Sequence, residues 1–187
     1  DTPGHADFGG EVERILSMVD GVVLLVDAAE SVMPQTKFVL SKALKLGLKP
    51  IVVINKIDRP GARAHWVLDQ TFDLFDRLGA TEEQLDFPVV YASALNGYAG
   101  DSPDVREGNM DYLFQTIVDK VHHPKVDVEG GFQMQISQLD YNSYVGVIGI
   151  GRIQRGTIKT NSPVVVVNRD SSQRNARVLQ VFGFKGL

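Results

Sequence analysis

The chain has 187 residues, 43% of them hydrophobic and 22% charged, with a formal net charge of -4. That composition describes an ordinary globular protein of one large domain or one and a half small ones, and its acidic balance excludes a chain that coats nucleic acid by bulk charge while leaving room for a local basic patch. Without cysteine it has neither a disulfide framework nor a thiolate metal site, and no apolar run approaches the roughly 18 residues of a membrane helix.

The chain opens on Asp1-Thr2-Pro3-Gly4-His5, without a signal-peptide layout. A glycine such as Gly4 lets the backbone pass close to a ligand and offer its N–H to a phosphate oxygen. An Asp just upstream can hold Mg2+ through its water. Taken alone, His5 reads as a structural or solvated residue. Gly9-Gly10 leads into a segment whose apolar residues at Val12, Ile15, Leu16 and Val19 have helical spacing. Gly21 to Asp27 reads as a strand buried on both faces. Pro34 suits the first turn of a helix that runs to about Leu46, with Phe38, Val39, Ala43, Leu44 and Leu46 as its inner side and Gly47 as its stop. Strand, helix, strand with buried apolar runs predicts a parallel crossover.

Pro50-Ile51-Val52-Val53-Ile54-Asn55-Lys56-Ile57-Asp58 is the centre of the pattern. Four β-branched residues in a row predict a central strand buried on both faces, and the polar residues begin at its carboxyl end, where open α/β sheets bind ligands. The Asp58 carboxylate can accept two N–H bonds from a ring N–H and its exocyclic amine, a pair that guanine presents and adenine lacks. Asn55 can donate to a ring nitrogen or carbonyl, and the Lys56 stem can lie along the ring face. The plainer alternative is a strand followed by a polar loop.

After Arg59-Pro60-Gly61, Val67, Thr71, Leu74, Phe75 and Leu78 form the inward stripe of a helix from about Ala64 to Leu78, with Trp66 as a packing residue. Leu85 to Pro88 connects to a strand at Val89–Ala92. Ser93-Ala94-Leu95 follows at that strand's end, where small residues let backbone N–H groups approach a base carbonyl. Asn96 to Gly108, rich in Gly, Pro and Asp, predicts a surface loop. Met110 to Val121 predicts a helix burying Leu113, Phe114, Ile117, Val118 and Val121. His122 and His123 have no acidic ligand cluster nearby, so metal binding is not expected there.

Residues 1–124 thus form one expected domain and 125–131 a linker. From Phe132 to 187 the period becomes that of strands, with Met134 and Ile136 on the side of Phe132 and turn residues at 139–144. A glycine-studded strand follows at 145–153, and further strands at 163–167 and 177–181. Glycines within strands mark bulges or close backbone approach, as barrel closure requires.

Three pieces in this order, Asp1-x-x-Gly4-His5, Asn55-Lys56-x-Asp58 and Ser93-Ala94-Leu95, resemble the nucleotide-site motifs of translational GTPases. Gln133 to Gly146 and Phe87 to Gly97 further resemble the TypA/BipA family of ribosome-associated GTPases, and the likeness runs nearly end to end. The resemblance implies an α/β fold: a partial P-loop-type GTPase domain with a parallel sheet, then the start of a small β-barrel. It assigns Asp1 to Mg2+ through water, Gly4 to the γ-phosphate and His5 to orienting the attacking water. Asn55, Lys56, Asp58, Ser93, Ala94 and Leu95 go to the guanine base. It also implies GTP as substrate, the ribosome as partner, a cytoplasmic monomer without a membrane, and a role in large-subunit assembly and in growth under cold or stress.

The family's phosphate loop, Gly-x-x-x-x-Gly-Lys-Ser/Thr, does not occur in these 187 residues. Three charge-assisted hydrogen bonds at roughly 1.5–3 kcal/mol each would be lost with it, on the order of 10³–10⁶ in affinity. These residues alone are therefore expected neither to bind GTP tightly nor to hydrolyse it, and to leave a sheet edge uncovered. The rival reading is a non-catalytic module that docks RNA or protein through its second half, where Arg152, Arg155, Lys159, Arg169, Arg174 and Arg177 lie. Such charges also occur as a plain solvated face.

Overall fold

The computed structural model describes residues 9–184, and this stretch divides after Pro124 into two compact units. Asp1, Gly4 and His5 lie outside the described residues.

The first unit begins with α1 (Gly9–Leu16), β1 (Val22–Asp27), α2 (Pro34–Lys45) and β2 (Pro50–Asn55). It continues with α3 (Ala64–Arg77), α4 (Glu82–Leu85), β3 (Val89–Ser93), β4 (Tyr98–Gly100) and α5 (Asp111–Lys120). The sheet has the order β1-β2-β3-β4, parallel across the first three strands and antiparallel between β3 and β4. Alternation along β2 explains the layers. Val52 and Ile54 join Leu40, Leu44, Val67 and Phe75 on one face, while Ile51 and Val53 face Leu113 and Ile117 of α5, and Val121 just past its end, on the other. The second strand is therefore buried from both sides, as the β-branched run predicts.

The first strand is not. Leu24 and Val26 are buried, but Val23 is 41% and Leu25 61% exposed, because β1 is an edge of the described sheet and α5 packs over β2 and β3 rather than over it. Its expected two-sided burial is corrected to one side. α3 carries Val67, Thr71 and Phe75 inward, and the Phe87 ring lies 4.5 Å from that of Phe75.

Other expectations need correcting. Leu46 falls past the end of α2 and is exposed. On α5, Phe114 and Val118 point outward, because Leu113, Ile117 and Val121 already fill the contact with the sheet. Tyr98–Gly100, inside the expected loop, is a buried strand paired with β3. Thr81 to Leu85 forms a capped turn in which Thr81 Oγ1 accepts from the Gln84 N–H and Gln84 Oε1 accepts from the Thr81 N–H. The Gln84 amide also donates to the Leu44 and Leu48 carbonyls, at 3.1 and 2.9 Å, and so ties down the end of α2.

The second unit consists of two hairpins, β5 (Gln133–Asn142) with β6 (Gly146–Arg155) and β7 (Pro163–Val167) with β8 (Gln173–Arg177). Strand pairing continues through Leu139 to Asn142, where turn residues are expected, and the turn itself is confined to 143–145. The last strand lies at Gln173–Arg177 rather than at 177–181. The glycines of β6 act as expected. A Cβ at Gly151 would fall on the Gln135 carbonyl oxygen, next to the register shift between Ile136 and Gln138.

Candidate functional site

The carboxyl ends of β1, β2 and β3 lie side by side, with Asp27 in register with Asn55 and Asn55 with Ala92. The loops that leave these ends are joined by hydrogen bonds. Asn55 Oδ1 accepts from the Lys56 N–H at 2.8 Å and from the Ala94 N–H at 3.0 Å. One side chain thus fixes the start of its own loop and the turn after β3. The chain then turns sharply: Lys56 has φ +64, an uncommon conformation for a residue with a long side chain. The Ile57 N–H bonds the Ala92 carbonyl, and the Arg63 N–H bonds the Ala28 carbonyl at 2.8 Å, so loop 56–63 is held at both ends.

Asp58 sits partly buried in that loop, and no described residue donates a hydrogen bond to its carboxylate or forms an ion pair with it. Its acceptor capacity is open. On the neighbouring strand Ser93 is fully buried, and its Oγ accepts from the backbone N–H and side-chain amide of Asn96, at 3.3 and 3.0 Å. Those bonds, with the Gly97 N–H on the Ser93 carbonyl and φ +72 at Gly97, close a tight turn. That turn presents Ala94 and Leu95 at the surface, with Leu95 88% exposed. The structure therefore brings Asn55, Lys56, Asp58, Ser93, Ala94 and Leu95 to one end of the sheet. It leaves the placement of Asp1, Gly4 and His5 outside what is described.

One residue at this end was read only as the last position of a strand. Asp27 is mostly buried. Its Oδ1 accepts from the N–H groups of Ala29 and Glu30, at 2.8 and 3.2 Å, while its Oδ2 lies 2.8 Å from Lys56 Nζ and 3.1 Å from Arg59. Burial alone pushes this carboxyl up. The Lys56 hydrogen bond, the two backbone N–H groups and the ammonium charge outweigh it and bring the carboxyl down to about 2. The sequence held a signal for it: a carboxylate ends a wholly apolar strand, on the ligand side of the sheet. Trp66, expected to pack, is 42% exposed and carries the Arg63 guanidinium 4.0 Å above its ring.

Residues 1–123 match the family described as the elongation factor Tu GTP binding domain. The chain belongs to that family. Within it, the chain groups with TypA/BipA. It is 65% identical over 188 residues to the large ribosomal subunit assembly factor BipA of Escherichia coli K12. Identity to the factors of the same name is 64% in Haemophilus influenzae and 55% in Buchnera aphidicola, and each match covers the whole of this chain. The chain spans 30–31% of the length of these relatives. Among solved structures, translation elongation factor SelB of Methanococcus maripaludis, in complex with the GTP analogue GppNHp, aligns with 95% of this chain and 40% of its own. Its TM-score is 0.71 at 20% identity, a likeness of fold. No described helix is long and apolar enough to cross a membrane.

Proposed function

We propose that the protein to which this chain belongs binds and hydrolyses GTP as a translational GTPase of the TypA/BipA type, acting on the ribosome in large-subunit assembly. The observation that carries the nucleotide reading is the double acceptance by Asn55 Oδ1, which locks the loop bearing Asp58 to the turn after Ser93. A base lying between these two loops would meet the open Asp58 carboxylate at its N–H edge. The Leu95 N–H, at the exposed turn after Ser93, would face its carbonyl, and the Lys56 stem its ring plane. Adenine lacks the ring N–H beside an amine that Asp58 would recognise, so guanine is selected.

Hydrolysis of the γ-phosphate demands positioning more than covalent chemistry. His5 orients the attacking water and Gly4 bonds the γ-phosphate; these roles rest on the resemblance of Asp1-x-x-Gly4-His5. Asp1 would hold Mg2+ through water, and the ion would offset charge on the phosphates. Among the described residues no group of three or more His, Asp and Glu could hold a metal ion. The membrane-free, cytoplasmic, monomeric state and the role in growth under cold or stress belong to the same reading.

Two measurements on the complete protein test it. Calorimetric titration should give GDP and GTP at least 100-fold tighter binding than ADP, and equal affinities would remove the guanine site. His5→Ala should leave GTP binding intact while ribosome-stimulated turnover falls by about 100-fold or more; unchanged turnover would take His5 out of the mechanism. The isolated 187 residues should bind GTP no tighter than tens of micromolar.

A further inference from the structure

Lys56 is the residue of the base site with the most freedom to lose. Its side chain is long and half exposed, and its backbone is held in an unusual conformation by Asn55. Its ammonium group is nevertheless anchored, 2.8 Å from Asp27 Oδ2 on the adjacent strand. Asp27 is itself immobilised from two sides. The Ala29 and Glu30 N–H groups cap Oδ1, and Arg59, which leans 3.5 Å from Glu30, shares Oδ2 at 3.1 Å. The carboxylate thus has one oxygen for the backbone and one for the two cations of loop 56–63.

The geometry points to Asp27 as a positioning residue for guanine nucleotides, one that holds the Lys56 head so that its stem is set across the base site before a nucleotide arrives. This inference rests on the guanine reading of the site. Ordering the side chain in advance removes the entropy loss that binding would otherwise incur, which is the general route by which preorganisation raises affinity. Because the contact lies at the base rather than at the phosphates, it acts on GDP and GTP alike and leaves the hydrolytic step untouched.

Asp27→Asn is the informative variant in the complete protein. It keeps an Oδ1 acceptor for Ala29 and Glu30 but gives up the charge that holds Lys56 and Arg59. The dissociation constants of GDP and GTP, read with a fluorescent guanine nucleotide, should both rise about tenfold. The KM for GTP in ribosome-stimulated turnover should rise with them at unchanged kcat. In a Lys56→Ala background the same substitution should change affinity less than twofold, since its target is gone. Arg59→Gln, which loosens Asp27 without touching the caps, should give a smaller rise of two- to threefold and keeps the test open if Asp27→Asn folds poorly. Equal losses in both backgrounds would show that Asp27 acts through the fold and not through Lys56, and a change under twofold in the otherwise unaltered protein would likewise overturn the inference. If the unaltered protein fails to prefer GDP over ADP, the guanine reading itself falls. Intact guanine preference that Asp27→Asn does not weaken sinks Asp27 alone.

Discussion

The two units are built on opposite terms. Every buried apolar residue among those described lies between Val12 and Ala99, all in the first unit. In the second, the strands hold only half-buried and exposed positions, and Leu139, Tyr141, Val147, Val165 and Val167 stand largely in solvent. Charge divides the same way: residues 125–187 carry eight Lys and Arg against four Asp and Glu, while residues 1–124 carry eleven against nineteen. A sheet whose central strand is covered on both faces gains its order from burial and can hold polar loops rigidly at its strand ends. Two-stranded hairpins have no such reserve and depend on backbone pairing and on where their glycines permit close approach. The candidate site sits where the first kind of order is greatest, directly above β2.

The sharpest way to break the contrast is to empty the core on one side of it. Phe75 is fully buried, and Phe75→Ala should cost about 3–5 kcal/mol, read as a lowered urea midpoint of the first unit. Hydrogen exchange in β5–β6 should not change.

The converse experiment targets Gly151. Gly151→Val drives a side chain into the Gln135 carbonyl, which is backbone and cannot move aside. A loss of about 3 kcal/mol or more is expected, with exchange protection lost across β5 and β6 and kept in β2. Gly149→Ala meets only the end of the Ile136 side chain, so about 1 kcal/mol is expected there.

A third, smaller effect sharpens the electrostatics of the strand ends. The Asp27 carboxyl lies at about 2 against an ordinary 3.8. A lowered folded-state value means that the unfolded chain binds the proton more tightly, so the stabilisation is complete above about pH 5 and is lost as pH falls through 4 toward 2. Asp27→Asn should therefore destabilise the protein by about 1–2 kcal/mol at pH 7 and by almost nothing at pH 2. A difference between the two proteins that stays constant across that range would contradict the assignment.

What was legible in the sequence follows the same division. β2 is plain from four consecutive β-branched residues, and α3 from Val67, Thr71 and Phe75 at helical spacing, because burial on a fixed face leaves a periodic trace. Elements of three or four residues leave none. β4 hides in a Gly- and Asp-rich stretch and exists because β3 offers it an edge, whereas Thr81 and Gln84 did carry a capping-box signal that four residues of helix made easy to pass over. Phe114, Val118 and Leu46 show the limit of reading hydrophobicity as burial: an apolar residue on a helix can face solvent when its neighbours have taken the contact. In the site, the described motif residues fall together because they occupy two neighbouring loops, at the ends of β2 and β3. Asp27 left only the trace of a carboxylate ending an apolar strand, because its pairing with Lys56 and Arg59 depends on which strand lies beside it, and register is a property of the fold.

The central claim, that the loop after β2 and the turn after β3 enclose a guanine base, is tested most directly by Asp58→Asn in the complete protein, with GDP and xanthosine diphosphate titrated in parallel. Replacing one carboxylate oxygen by an amide donor should weaken GDP by about 100-fold or more and strengthen the xanthine nucleotide, whose oxygen then finds a donor, so that the preference inverts. Unchanged GDP affinity with no gain for the xanthine nucleotide would contradict the account.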